Sequence, residues 1–141
     1  MPIGKAAVRR AGKDLTIVTC GGMVLKADAA ADQLKAKGID VEIVDLRSLA
    51  PLDKETILHS VAKTTRAIVL DEGPMIGGLS AEIAALIQEN LFADLKGPVV
   101  RIAAQPIPPP HSPPLVDAMI PDVEQIVDAV MRLAEGGKIR S

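Results

Sequence analysis

The sequence predicts an α/β fold: a three-layer αβα sandwich on a mostly parallel five-stranded sheet with one antiparallel edge strand. Three observations predict it. Apolar runs of strand length alternate with longer segments whose apolar residues recur every three or four positions, as in strand–helix–strand units. Glycine, proline or aspartate marks most of the switches between the two patterns. The run Ala67–Leu70 is apolar throughout, as expected of a strand buried on both faces. The 141 residues suit one domain covering the whole chain, with enough length to bury a real core.

The first strand is expected at Ala6–Arg9 and the second at Leu15–Cys20. The turn at Ala11-Gly12 is so short that the two are expected to pair as an antiparallel hairpin. Gly21-Gly22 end the second strand. A helix follows from about Met23 to Lys37, with Val24, Ala27, Ala31 and Leu34 on one face and Gly38 as its stop. Val41–Leu46 is the third strand. Pro51 breaks the pattern, and Asp53 caps a helix running to about Lys63 with Ile57, Leu58 and Val61 inward. After the strand Ala67–Leu70, Gly77-Gly78 precede a helix carrying Ile83, Leu86, Ile87 and Leu91. Pro98–Ala103 is the last strand. The final helix starts near Pro121 or Asp122 and buries Val123, Ile126, Val127 and Val130. Short connections between alternating elements imply parallel strands joined by right-handed crossovers. The segment Pro106–Pro114 has six prolines in nine positions and is expected to be stiff and extended.

Composition narrows the function. Phe92 is the only aromatic residue, so there is no stacking platform for single-stranded nucleic acid. Net charge is −2 with the signs interspersed, which lacks the basic stripe of a nucleic-acid binder. Apolar runs fall far short of the ~18 residues of a membrane span, and Met1–Lys5 lacks the zones of a signal peptide. A single cysteine, Cys20, excludes an internal disulfide and fits a cytoplasmic setting.

The candidates for chemistry are few. Gly21-Gly22 stand between a strand and a helix, where amides can hold a phosphate, yet neither nucleotide fingerprint is present; a tight turn accounts for them. Asp71 and Glu72 lie at the carboxyl end of a central strand, where open α/β sheets bind ligands. Adjacent residues of an extended chain face opposite ways, so a cooperating pair is not expected. One is expected to cap the following loop, the other to face solvent or a neighbouring subunit. His59 reads as a solvated residue on an exposed helix face. His111, in the proline-rich connection, has no evident partner for metal or nucleophile chemistry. Cys20 reads as a small core residue, and Ser80 and Ser112 lack a nucleophile-elbow context.

Five segments in order carry a resemblance. They are Ile3–Ala6 with Gly12–Val18; Asp45-Leu-Arg-Ser-Leu-Ala-Pro-Leu-Asp53; Glu72, Gly77-Gly78 and Ala81-Glu82-Ile83; Ser112-Pro-Pro-Leu115 with Asp117-Ala118; and Pro121–Glu124. In this arrangement the chain resembles the carboxyl-terminal domain of the beta subunit of thiamine-diphosphate-dependent 2-oxoacid dehydrogenases, the pyruvate, branched-chain and acetoin enzymes. Transketolase and deoxyxylulose-phosphate synthase carry a more distant form of the same domain. Departures from the pattern cluster in the proline-rich connection: Pro106, His111, Val116 and Met119.

The resemblance implies work in assembly. In the family, thiamine diphosphate and magnesium are held between the alpha subunit and the amino-terminal domain of beta. No cofactor, metal or catalytic residue therefore transfers to this chain, and the isolated chain is expected to be inactive. The partners implied are the remainder of the beta subunit, the alpha subunit, a second beta subunit and the subunit-binding domain of the acyltransferase; neither nucleic acid nor membrane is expected. The whole complex would decarboxylate a 2-oxoacid oxidatively and transfer the acyl group to lipoyl groups. The interface residues expected are Glu72, Gly77, Gly78, His111, Pro113, Pro114 and Leu115; Asp94, Lys96 and Glu135 flank regions that could approach a partner. Met1 stands where the terminal domain would begin, which suggests a separately expressed domain rather than a naturally split subunit. Two other classes remain open: a small-molecule-binding module using Gly21–Met23 and Asp71–Gly78, and an independent enzyme using Asp71, Glu72 or His111.

Overall fold

In the computed structural model, residues 3–104, 114 and 120–135 are described. The strands are β1 (Ala7–Arg10), β2 (Leu15–Thr19), β3 (Val41–Asp45), β4 (Ala67–Pro74) and β5 (Val100–Ala104). The helices are α1 (Met23–Lys35), α2 (Lys54–Thr64), α3 (Leu79–Leu91) and α4 (Val123–Ala134), with a 3-10 turn at Phe92–Asp94. The sheet order is β1-β3-β2-β4-β5; β1 is antiparallel to β3 and the other pairs are parallel. The expected mixed sheet with one antiparallel edge is present.

The expected β1–β2 hairpin is not. β2 has β3 on one side and β4 on the other, so β1 pairs with β3, Ala7 opposite Asp45. Two groups of contacts hold β1 there. Arg9 and Arg10 reach across to α1, pairing with Asp28 at 3.1 Å and Asp32 at 2.8 Å. Gly12 lies so close to β3 that a side chain on it would stand 2.3 Å from the Val41 carbonyl carbon. A short loop can therefore step over a neighbour rather than fold back on itself.

The sheet separates two apolar layers. On one face Leu15, Ile17, Ile43, Ile68 and Leu70 pack with Ala27 and Leu34 of α1 and with Ile126 and Leu133 of α4. On the other, Val18 and Val69 pack with Ile57 and Val61 of α2 and with Ile83 and Ile87 of α3. Alternation along each strand feeds both layers. Leu58, Leu86, Leu91 and Val123, expected inward, are only half-buried at the edges of these layers.

Helix ends follow local chemistry. Past α1, the Ile39 amide donates to the Leu34 carbonyl and the Gly38 amide to that of Lys35, with Gly38 at φ +82°; this is a Schellman stop, and Ile39 packs on the same layer as Leu34. α4 opens on a capping box, with the Gln125 amide donating to Asp122 at 2.8 Å and the Asp122 amide to Gln125 at 2.9 Å. β4 runs four residues past Leu70, beyond the expected end. Its irregular extension pairs Pro74 with Ala104 of β5.

Candidate functional site at the carboxyl end of the sheet

α1 covers one face and α2 and α3 the other, so the direction of crossover reverses between β2 and β4. Open α/β sheets bind ligands in the crevice beyond such a reversal. Here it is formed by Cys20–Gly22 after β2 and by Asp71–Gly78 on and after β4. Gly21 turns the chain at φ +62°, and Glu72 Oε1 lies 3.8 Å from where a Gly21 side chain would begin. Glu72 is exposed and Asp71 buried, so the two carboxylates are not presented together.

Cys20 sits just past the end of β2, half-buried rather than within the core. Burial pushes its thiol pKa up, and the charges of Asp71, Asp45 and Glu72 push the same way. The field at this end is thus negative. It opposes thiolate formation at Cys20. Among the described residues no group of three His, Cys, Asp or Glu is placed to hold a metal ion.

The loop after β4 is fixed from β5. Arg101 donates to the Met75 carbonyl at 2.7 Å, and the Met75 amide donates to Ala104 at 3.1 Å. Gly77 has φ +70°, and a side chain on Gly78 would stand 2.1 Å from the Pro74 carbonyl oxygen. Both glycines are therefore demanded by the turn into α3. Pro114 is exposed; His111, Pro113 and Leu115 lie outside the described residues. His59 is exposed as expected, on a cleft of about 590 Å³ beside α2 that Lys5, Val8, Glu42, Ser60 and Lys63 also line. Asp94, Lys96 and Glu135 are all exposed.

Exposed aliphatic residues at this end were not picked out by the sequence reasoning. Six large apolar residues are exposed among those described: Ile3, Val8, Leu25, Leu49, Ile76 and Phe92. Leu25 is in the first turn of α1, Leu49 follows β3, and Ile76 follows β4, all at the carboxyl ends of parallel strands. Ile3 joins them, because antiparallel β1 begins opposite Asp45 at the end of β3. No helix among the described residues is long and apolar enough to cross a membrane.

Comparison with known proteins agrees with this architecture. The family "Transketolase, C-terminal domain" matches residues 4–126. The mitochondrial pyruvate dehydrogenase E1 component subunit beta-1 of Arabidopsis thaliana is 45% identical over 94% of this chain and 36% of its own length. The beta subunit of acetoin:2,6-dichlorophenolindophenol oxidoreductase from Cupriavidus necator is 41% identical over 98% of this chain and 41% of its own. A solved structure described as a split gene transketolase, inactive beta4 tetramer, superposes with a TM-score of 0.80 at 29% identity, covering 98% of this chain and 45% of that one. The chain thus spans less than half the length of these relatives. With this fold, this coverage and these identities, the chain belongs to the transketolase C-terminal domain family, with beta subunits of pyruvate dehydrogenase and acetoin oxidoreductase among its relatives.

Proposed function

We propose that this chain is an assembly and partner-docking domain of a thiamine-diphosphate-dependent 2-oxoacid dehydrogenase. In this reading the decarboxylation and the acyl transfer to lipoyl groups belong to the whole complex. Thiamine diphosphate and magnesium are held by other parts of it, and this domain contributes packing against the rest of the beta subunit, the alpha subunit and a second beta subunit. It also receives the subunit-binding domain of the acyltransferase.

One observation carries the reading. Among the described residues, four of the six exposed large aliphatic or aromatic side chains, Ile3, Leu25, Leu49 and Ile76, stand at the carboxyl end of the sheet. Their exposures run from 51% to 86%. A sheet end that in other α/β proteins takes a small ligand here offers aliphatic side chains with Glu72 among them, which suits a protein surface.

The test is calorimetric titration of the chain with the acyltransferase subunit-binding domain at low and high salt, with light scattering of the chain alone. Binding that weakens with salt, and a mass above the monomer at high concentration, are expected. A folded chain that gives no heat at either salt would remove the docking role. A strictly monomeric mass would remove the packing of beta against beta.

A further inference from the structure

We propose that the Asp45–Asp53 loop is a socket that locks the arriving segment Ile3–Ala6 to the carboxyl end of the sheet, with the Asp53 carboxylate as its latch. The loop is braced from within. Asp45 accepts from the Arg47 amide at 3.2 Å, where Arg47 turns the backbone at φ 57°. Leu46 is buried in the layer beneath α2 and α3. The Ser48 hydroxyl donates to the Pro51 carbonyl at 2.9 Å, and Leu49 bridges to Leu52. Gly4 rests on this loop. It has φ +82°, and a side chain there would stand 2.8 Å from Pro51 Cγ.

Asp53 closes the arrangement with two separate oxygens. Oδ1 accepts from the Thr56 amide at 3.1 Å, the ordinary contact of a helix cap. Oδ2 accepts from the Ala6 amide at 2.9 Å and from the Thr56 hydroxyl at 2.6 Å. A cap needs only one oxygen; the other reaches a residue 47 positions earlier in the chain. Asp53 is 6% exposed, so water does not substitute easily for either contact. Ile3, just outside the latch, is 86% exposed at the end that also carries Leu25, Leu49 and Ile76. Ile3 therefore stands on the proposed docking face. That consequence rests on the assembly reading, whereas the latch does not. Asp53 is a positioning residue: it sets where the segment Ile3–Ala6 meets the sheet.

A carboxamide keeps one acceptor oxygen and gains donors, so Asp53→Asn can cap α2 but cannot also hold the Ala6 amide. Residue-resolved amide exchange on the 141-residue chain separates the two contacts. The Ala6 amide is expected to be protected in the wild type. Asp53→Asn should speed its exchange about tenfold or more while Thr56 stays protected, and Asp53→Ala should release both. Gly4→Ala should release Ala6 from the other side of the socket with α2 unaffected. An unprotected Ala6 amide in the wild type, an unchanged one in Asp53→Asn, or joint release of Ala6 and Thr56 in that variant would each overturn the latch. None of these rates depends on the docking titration, so the two can fail independently.

Discussion

The Gly12 amide donates to Glu42 Oε1 at 3.1 Å, tying the loop before β2 to the interior of β3. Glu42 is 2% exposed, and its carboxylate also accepts from Ser60 and Lys63 of α2. The network runs on from Ser60 to Thr16 at 2.9 Å and from Thr16 to Thr64 at 2.7 Å. A polar seam thus joins β2, β3, α2 and the β1–β2 loop within a largely aliphatic interior. Each acceptor has donors, which is what makes such a seam tolerable in low dielectric.

Gly12→Ala tests the close approach in this seam. The methyl group would meet Val41 and Glu42 backbone, which no rotamer change can clear. Separation of the β1–β2 loop from β3 and a loss of about 1–3 kcal/mol in denaturant unfolding are expected, with the midpoint falling. A wild-type midpoint would mean the loop yields freely.

Glu42→Leu should cost more than Lys63→Met. Lys63 is partly solvated, so losing it leaves Glu42 with Ser60 and Gly12, whereas losing Glu42 strands the Gly12 amide in the interior. A stranded buried donor costs about 1–3 kcal/mol. Chemical denaturation of both variants would rank them, and equal losses would contradict this account of the seam.

Stability should fall in acid for two identifiable reasons. Burial pushes Glu42 up, but hydrogen bonds from Lys63, Ser60 and Gly12 outweigh it and hold the carboxyl below its ordinary value. Hydrogen bonds from Thr56 and Ala6 hold Asp53 down as well, against a smaller effect of burial. A carboxyl whose folded pKa lies below its unfolded one stabilises fully above the unfolded value, about 4 for these types, and less as pH falls through the folded value. Unfolding free energy should therefore be flat with respect to these groups above about pH 5 and decline below about pH 4. Glu42→Gln and Asp53→Asn should each flatten the decline; an unchanged acid slope in both would place its origin elsewhere.

Cys20 should be a slow thiol. Burial and the charges of Asp71, Asp45 and Glu72 keep it protonated near neutral pH, and the thiolate is the reactive form. Alkylation at pH 8 should run below the rate of an unhindered peptide thiol and rise steeply only at more alkaline pH. Paired Asp71→Asn and Glu72→Gln replacements should speed it several-fold. A wild-type rate matching the free peptide would show that the field does not act on the sulfur.

Much of the fold was legible because its causes are local. The apolar spacing in Val24, Ala27, Ala31 and Leu34 placed the inner face of α1, Gly38 marked its end, and Asp53 the start of α2. The partner of β1 was not legible. A four-residue connection reads as a hairpin unless one knows that β3 and β4 already flank β2, and those strands come later in the chain. Val41–Leu46 read as a strand without showing that Glu42 would be buried, since its donors lie on another helix and another loop. At the candidate site, Glu72 was recognisable as a strand-end carboxylate, but Leu25 looked like any other apolar residue of a helix. Only packing put it outside, at 69% exposure.

The sequence by itself determined which segments are strands and helices, which faces turn inward and where most elements stop, because each depends on neighbours within about one helical turn or a strand's alternation. The tertiary structure decided which strands pair, that Glu42 and Asp53 bind amides far away along the chain, and that Ile3, Leu25, Leu49 and Ile76 share one end of the molecule. These depend on contacts between residues tens of positions apart, and such contacts exist only once the sheet has been assembled in its own order.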